Sequence, residues 1–432
     1  MKFPKGFFIG AATAAHQVEG NNIHSDYWAQ EHMKYSTFAE PSLDACDHYN
    51  RYEEDIRLMA QAGLNAYRFS IEWARIEPEE GKYDLNEVEH YRQVIACCKA
   101  NGIEPIVTLH HFSSPVWLIR KGGWEAESVV EDFARYADFI IGQLGSEIHY
   151  VCTLNEANMG IQVMAVAKQI MQQMMANAAK QKEGQADSSV QVGINLEQMM
   201  KNRQLLAEEN VAVFGTPSPQ VFVSGRTPEG DLLVMKAHQA AKKVIKARFP
   251  DMQVGLTLSL HDIQPLPGGE EAARKEWDEE LLHYLPYIQD DDFLGCQSYT
   301  RTRFDETGSL PAPDGAETTQ MGYEYYPEAI GNVLREVAKV FHGDLIVSEN
   351  GVATADDSRR VEYIRRSLAN IHACMEEGLP VKGYCYWSLM DNFEWQKGFA
   401  MQFGLIAVDR TTQKRTPKDS LAFLGSYAGK TC

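Results

Sequence analysis

Residues 344–351 read "DLIVSENG". Leu345, Ile346 and Val347 form the apolar run of a buried strand, and Glu349 stands at its end. A carboxylate in that position is either salt-bridged for structure or placed for chemistry, and for a single residue the structural reading is the commoner one. The rest of the chain decides between them.

Seven further runs have the same character: "FFIGAATAA" near the amino terminus, "AYRFSIEW" at 66–73, "EPIVTLHH" at 104–111, "IHYVCTLNE" at 148–156, "QVGLTLSL" at 253–260, "FLGCQSYT" at 293–300 and "VKGYCYWSL" at 381–389. Helical spacing fills the intervals. In "NRYEEDIRLMAQAGLNA", Tyr52, Ile56, Met59 and Ala60 share one face and Gly63 ends the helix. Alternating strands and helices predict a parallel sheet. Eight units suit a closed (β/α)8 barrel, a TIM barrel, spanning residues 1–432 as one α/β domain. Nearly every run ends on a chemically capable group: Arg68, His110 and His111, Asn155 and Glu156, Tyr299, Glu349 and Trp387. In a barrel those ends meet at one face, where active sites are built. An open doubly wound sheet would be expected to carry a glycine-rich first loop, which is absent.

One stretch departs from this rhythm. Residues 157–228 form an extended insertion after the fourth strand, methionine-rich at first and then polar around "KEGQADSS". Two amphipathic helices on the barrel rim are expected there, with Met164, Met171, Met174 and Met175 filling gaps. A substrate-facing lid or a subunit contact is the alternative.

With 41 basic and 60 acidic residues among 432, the net charge is −19, which repels nucleic acid and anionic membrane. No run of about 18 apolar residues is present, so no spanning helix is expected. The apolar stretch at the amino terminus is interrupted by Gly10 and reads as part of the folded chain rather than a signal peptide. The eight cysteines, Cys97, Cys98, Cys152, Cys296, Cys374 and Cys385 among them, lack metal-type CxxC spacing. Reduced, buried thiols and a cytoplasmic location are the expectation.

Two strand-end glutamates, Glu156 in "TLNEA" and Glu349 in "SENG", suggest a specific chemistry. Cleaving a glycosidic bond with retention uses two carboxyl groups about 5–5.5 Å apart, one a nucleophile and one an acid/base. Those glutamates close the fourth and seventh runs, so a barrel sets them on facing walls. The chain resembles glycoside hydrolase family 1, the β-glucosidase family, over essentially its whole length. "TLNEA" and "VSENG" are similar to that family's TxNEP and [IV]TENG motifs. "GAATAAHQVEG", "ACDHYNRYEEDI", "AYRFSIEWARIEP", "IEPIVTLHHFSSP" and "GYCYWSLMDNFEW" match further blocks in order.

The resemblance implies that Glu349 is the nucleophile and Glu156 the acid/base, with Arg68 and Tyr299 beside Glu349. It implies that Gln17, His111, Asn155, Glu394 and Trp395 bind the sugar over a floor made by Trp387. Tyr323 stands where a tryptophan platform is common. Adjacent His110 and His111 point to opposite faces of a strand and suit no shared ion; no metal and no cofactor are expected. The expected partner is a small-molecule β-glycoside, most simply a β-glucoside.

Departures fall on the leaving-group side: Ala157 replaces the usual proline, and Gln297 and Ser298 replace an asparagine-tyrosine pair. Two alternatives stand beside this reading. A 6-phospho-β-glycosidase would be expected to carry serine in place of Glu394, with a lysine and a tyrosine near Met401 and Phe403. A catalytically silent sugar-binding protein would be expected to lack one of the glutamates.

Overall fold

The computed structural model of the protein describes residues 1–167 and 202–428. Eight parallel strands close into a barrel: β1 Phe8–Ala12, β2 Ala66–Ser70, β3 Glu104–His110, β4 Tyr150–Leu154, β5 Gln253–Ser259, β6 Phe293–Gln297, β7 Asp344–Asn350 and β8 Val381–Trp387. Each strand pairs with its sequence neighbours, and β8 pairs with β1. The expected eight-unit barrel is the fold.

Helices follow the strands in turn: α1 His48–Ala62, α2 Leu85–Ala100, α3 Val129–Leu144, α4 Pro228–Arg248, α5 Glu270–Glu280, α6 Ala329–Ala338, α7 Asp357–Glu376 and α8 Asp419–Gly425. They form where apolar residues recur at helical spacing and end at identifiable caps. Gly63 takes a left-handed φ of 98° after α1, and Thr227 accepts from the N–H of Gly230 at the start of α4, with Pro228 at the first turn. No helix among the described residues is long and apolar enough to cross a membrane.

The strands are almost wholly buried, as a barrel enclosed by helices requires. β7 carries Leu345, Ile346 and Val347 in its buried run. Its pairing with β6 then shifts register between Val347 and Glu349, an irregularity that sits where the chain turns from core to mouth. Gly351 follows because a Cβ there would lie 1.9 Å from the carbonyl oxygen of Trp387.

His48, in "ACDHYNRYEEDI", belongs to a buried network of polar side chains. His48 Nδ1 pairs with Asp55 at 2.8 Å, Asp55 accepts from Arg415, and His48 Nε2 meets the Tyr67 hydroxyl at 3.1 Å. Of the expected rim insertion, residues 159–167 are helical as far as the description extends, and a helix spans Arg203–Phe214. Met164 borders a rim cavity; Met171, Met174 and Met175 lie outside the described residues.

Candidate active site

The carboxyl-terminal ends of the strands open into a pocket of about 310 Å³ lined by His111, Phe112, Asn155, Glu156, Tyr299, Glu349, Trp387, Glu394, Trp395 and Phe403. β4 and β7, which supply Glu156 and Glu349, stand nearly opposite one another round the barrel, with β5 and β6 between them.

Glu349 is held on both oxygens. Arg68 Nη1 donates to Oε1 at 2.5 Å and the Tyr299 hydroxyl donates to Oε2 at 2.6 Å. Burial raises its pKa, while the Arg68 charge and these two hydrogen bonds pull it back. Glu156 has no such support: its Oε2 is buried without a hydrogen-bond partner. Burial pushes its pKa well above the usual carboxylate range, and the Glu349 charge adds to that push. Two carboxyl groups in one pocket are thereby driven apart, the proton resting on Glu156 and the charge on Glu349.

Arg68 also donates through Nη2 to Asn155 Oδ1 at 2.6 Å. Gln297 Nε2 at 2.8 Å and the Thr257 hydroxyl at 3.1 Å donate to the same oxygen. Three donors on one oxygen fix the amide, so Asn155 Nδ2 is the atom 3.1 Å from His111 Nε2. That ring nitrogen must accept, which leaves the proton on His111 Nδ1. Burial, with Arg68 adding to it, holds the imidazole pKa well below its ordinary value, so the ring is neutral.

Around the rim of this polar floor, aromatic faces close the pocket. Trp387 stacks on His111 at a centroid distance of 5.6 Å, and Trp395 stacks on His16 at 5.9 Å. Gln17 Nε2 donates to the carbonyl of Phe393 at 2.7 Å and lies 3.5 Å from Glu394. His111 Nδ1, Gln17 Oε1 and Glu156 Oε2 are all buried without partners. Each such atom costs about 1–3 kcal/mol unless something supplies its hydrogen bond. A ligand bearing several hydroxyl groups on an apolar ring face would satisfy these atoms and cover Trp387.

Eight of the expected residues line the pocket directly. Arg68 stands behind Glu349, and Gln17 sits beside Glu394. Tyr323 is set back, its ring centroid 6.5 Å from that of Tyr299. His110 diverges from His111, as strand alternation requires, to meet Ser114 at 2.9 Å. Phe112, Thr257 and the role of Gln297 escaped the sequence reading. Phe112 lies in a loop with φ of 69°, a conformation with no signal in its residue type. Three of the non-glycine residues with positive φ, Phe112, Glu156 and Trp395, line this pocket; such strain tends to gather at functional sites.

A barrel with this mouth is that of a carbohydrate-cleaving enzyme, a glycoside hydrolase. The chain belongs to glycosyl hydrolase family 1, whose sequence model matches residues 1–180 and 283–431. It is 29% identical to beta-glucosidase A of Acetivibrio thermocellus, over 97% of this chain and 96% of that protein. Among solved structures, it is similar to the beta-glycosidase BGL167, at 42% identity and a TM-score of 0.86 over 99% of this chain and 97% of that one. It is also similar to a beta-glucosidase designated 1317, at 37% identity and a TM-score of 0.85 over 98% of both chains.

Proposed function

We propose that the protein is a retaining β-D-glycosidase that acts on unphosphorylated β-glucosides. The observation that carries this reading is the asymmetry of the two carboxyl groups: Glu349 is gripped by Arg68 and Tyr299, while Glu156 faces the same pocket unpaired. Glu349 attacks the anomeric carbon as Glu156 protonates the departing oxygen. The bond to the sugar removes the Glu349 charge, which lowers the Glu156 pKa and lets that carboxylate take a proton from water in the second step. Inversion twice gives net retention.

Asn155, fixed by its three donors, offers Nδ2 to the 2-hydroxyl. His111, Gln17, Glu394 and Trp395 bind the remaining hydroxyls over Trp387, and Tyr323 faces the leaving group. The Glu394 carboxylate in the pocket opposes a phosphate dianion, which supports the choice of unphosphorylated sugar. Relatives named beta-glucosidase support glucose as the sugar. The seven cysteines described are free, which supports a reducing, cytoplasmic setting. A panel of p-nitrophenyl β-glucoside, β-galactoside, β-fucoside and 6-phospho-β-glucoside tests the reading. The glucoside should have the highest kcat/KM and release the β-anomer first; the phosphorylated substrate turning over fastest, or an α-anomer appearing first, would overturn it.

A further inference from the structure

Glu156 sits on a turn that its own residue type does not favour. Its φ is 43°, in the left-handed region, and the regular pairing of β4 with β5 stops at Cys152 and Gly255, short of this turn. Something other than the ladder must hold it. Thr257, fully buried on β5, makes three contacts to three consecutive residues. Its hydroxyl accepts from the N–H of Glu156 at 2.9 Å and donates to Asn155 Oδ1 at 3.1 Å. Its carbonyl accepts from the N–H of Ala157 at 3.0 Å, a donor that proline at this position would lack.

The hydroxyl is itself fixed in direction. Thr257 lies opposite Gly295 on β6, and a Cβ on that glycine would come 2.5 Å from the Thr257 methyl carbon. The missing side chain makes the slot that the methyl occupies, and a β-branched residue whose methyl is seated has one χ1 available to it. With the methyl held, the oxygen points at the Glu156 N–H.

We propose that Thr257 is the positioning residue of the acid/base, clamping the Asn155–Ala157 turn so that the carboxyl of Glu156 and the amide of Asn155 keep a fixed relation to each other. This rests on the assignment of Glu156 given above. A clamp on the acid/base has a kinetic signature that general destabilisation lacks. Protonation of the leaving group matters for an alkyl glucoside or cellobiose and hardly matters for 2,4-dinitrophenyl β-glucoside, whose leaving group departs unaided. Attack by Glu349, on β7, is common to both.

The test is the ratio of kcat/KM for cellobiose to kcat/KM for 2,4-dinitrophenyl β-glucoside, in Thr257→Val, Thr257→Ser and Glu156→Ala beside the unmodified enzyme. Thr257→Val keeps the shape and deletes the hydroxyl; it should lower the ratio by at least about tenfold and displace the alkaline limb of the pH profile. Thr257→Ser restores the hydroxyl and should bring the ratio back to within about threefold. If Thr257→Val does not fold, Gly295→Ala, which pushes the Thr257 methyl out of its slot, is read in the same way. An unchanged ratio in the Thr257 or Gly295 variant, while Glu156→Ala lowers it, overturns the clamp. An unchanged ratio in Glu156→Ala overturns the acid/base assignment instead.

Discussion

Arg68 Nη1 lies 2.5 Å from Glu349 Oε1, and both side chains are almost completely shielded from solvent. A buried pair of this kind is costly to break from one side, because the partner is left charged and unpaired. Arg68 therefore fixes where the negative charge rests in the pocket as well as the geometry of the carboxylate. Replacing Arg68 with methionine should lower kcat/KM for p-nitrophenyl β-glucoside by about 10²–10⁴-fold. Without the cation, the Glu349 pKa rises further, so the acid limb of the pH profile should move to higher pH. Initial rates across a pH series check both.

The same electrostatics make Glu156 a reporter on Glu349. Burial is the larger cause of its raised pKa, but the Glu349 charge adds to it. Glu349→Gln removes that charge and keeps the shape. The Glu156 pKa should fall, and carbon NMR of labelled glutamate measures the change. A pKa unchanged in Glu349→Gln would mean that the two groups do not sense each other.

Raised carboxyl pKa values also carry a stability cost whose sign is definite. The folded protein holds its protons to higher pH than the unfolded chain does, so stability falls as pH rises from the unfolded value, about 4.3, toward the folded one. Glu156→Gln removes this penalty. At pH 7 the variant should melt about 1–3 °C above the unmodified enzyme, and the difference should vanish near pH 4. Thermal scans at the two pH values measure it.

Asn155 is aimed by Arg68, Gln297 and Thr257, all acting on its oxygen, which frees Nδ2 for the sugar. Asn155→Ala should cost a glucoside about 10²-fold in kcat/KM but cost the corresponding 2-deoxyglucoside much less. Equal losses on the two substrates would remove the 2-hydroxyl contact from the account.

The residues legible in the sequence are those whose chemistry conflicts with their surroundings. Glu349 after an apolar run, and Arg68 within "AYRF", stand out because buried strands rarely carry charge. The barrel was legible for a related reason, since eight apolar runs alternate with helical spacing. Thr257 was not. Threonine is unremarkable in a strand, and its role depends on which residue of β5 lies beside the end of β4 and on a glycine one strand further on. Gln297 was visible only as a departure from a motif; that it donates to Asn155 is a fact of the closed barrel. Phe112 takes its place in the wall through a loop conformation that phenylalanine does not announce.

The most direct test of the division of labour between the two carboxyl groups is covalent trapping. A 2-deoxy-2-fluoro-β-glucoside with an activated leaving group slows the second step more than the first and leaves the sugar on the nucleophile. Peptide mass spectrometry of the inactivated enzyme should find the label on Glu349, in the peptide containing "VSENG". A label on Glu156, or turnover with no labelled peptide, would contradict the assignment.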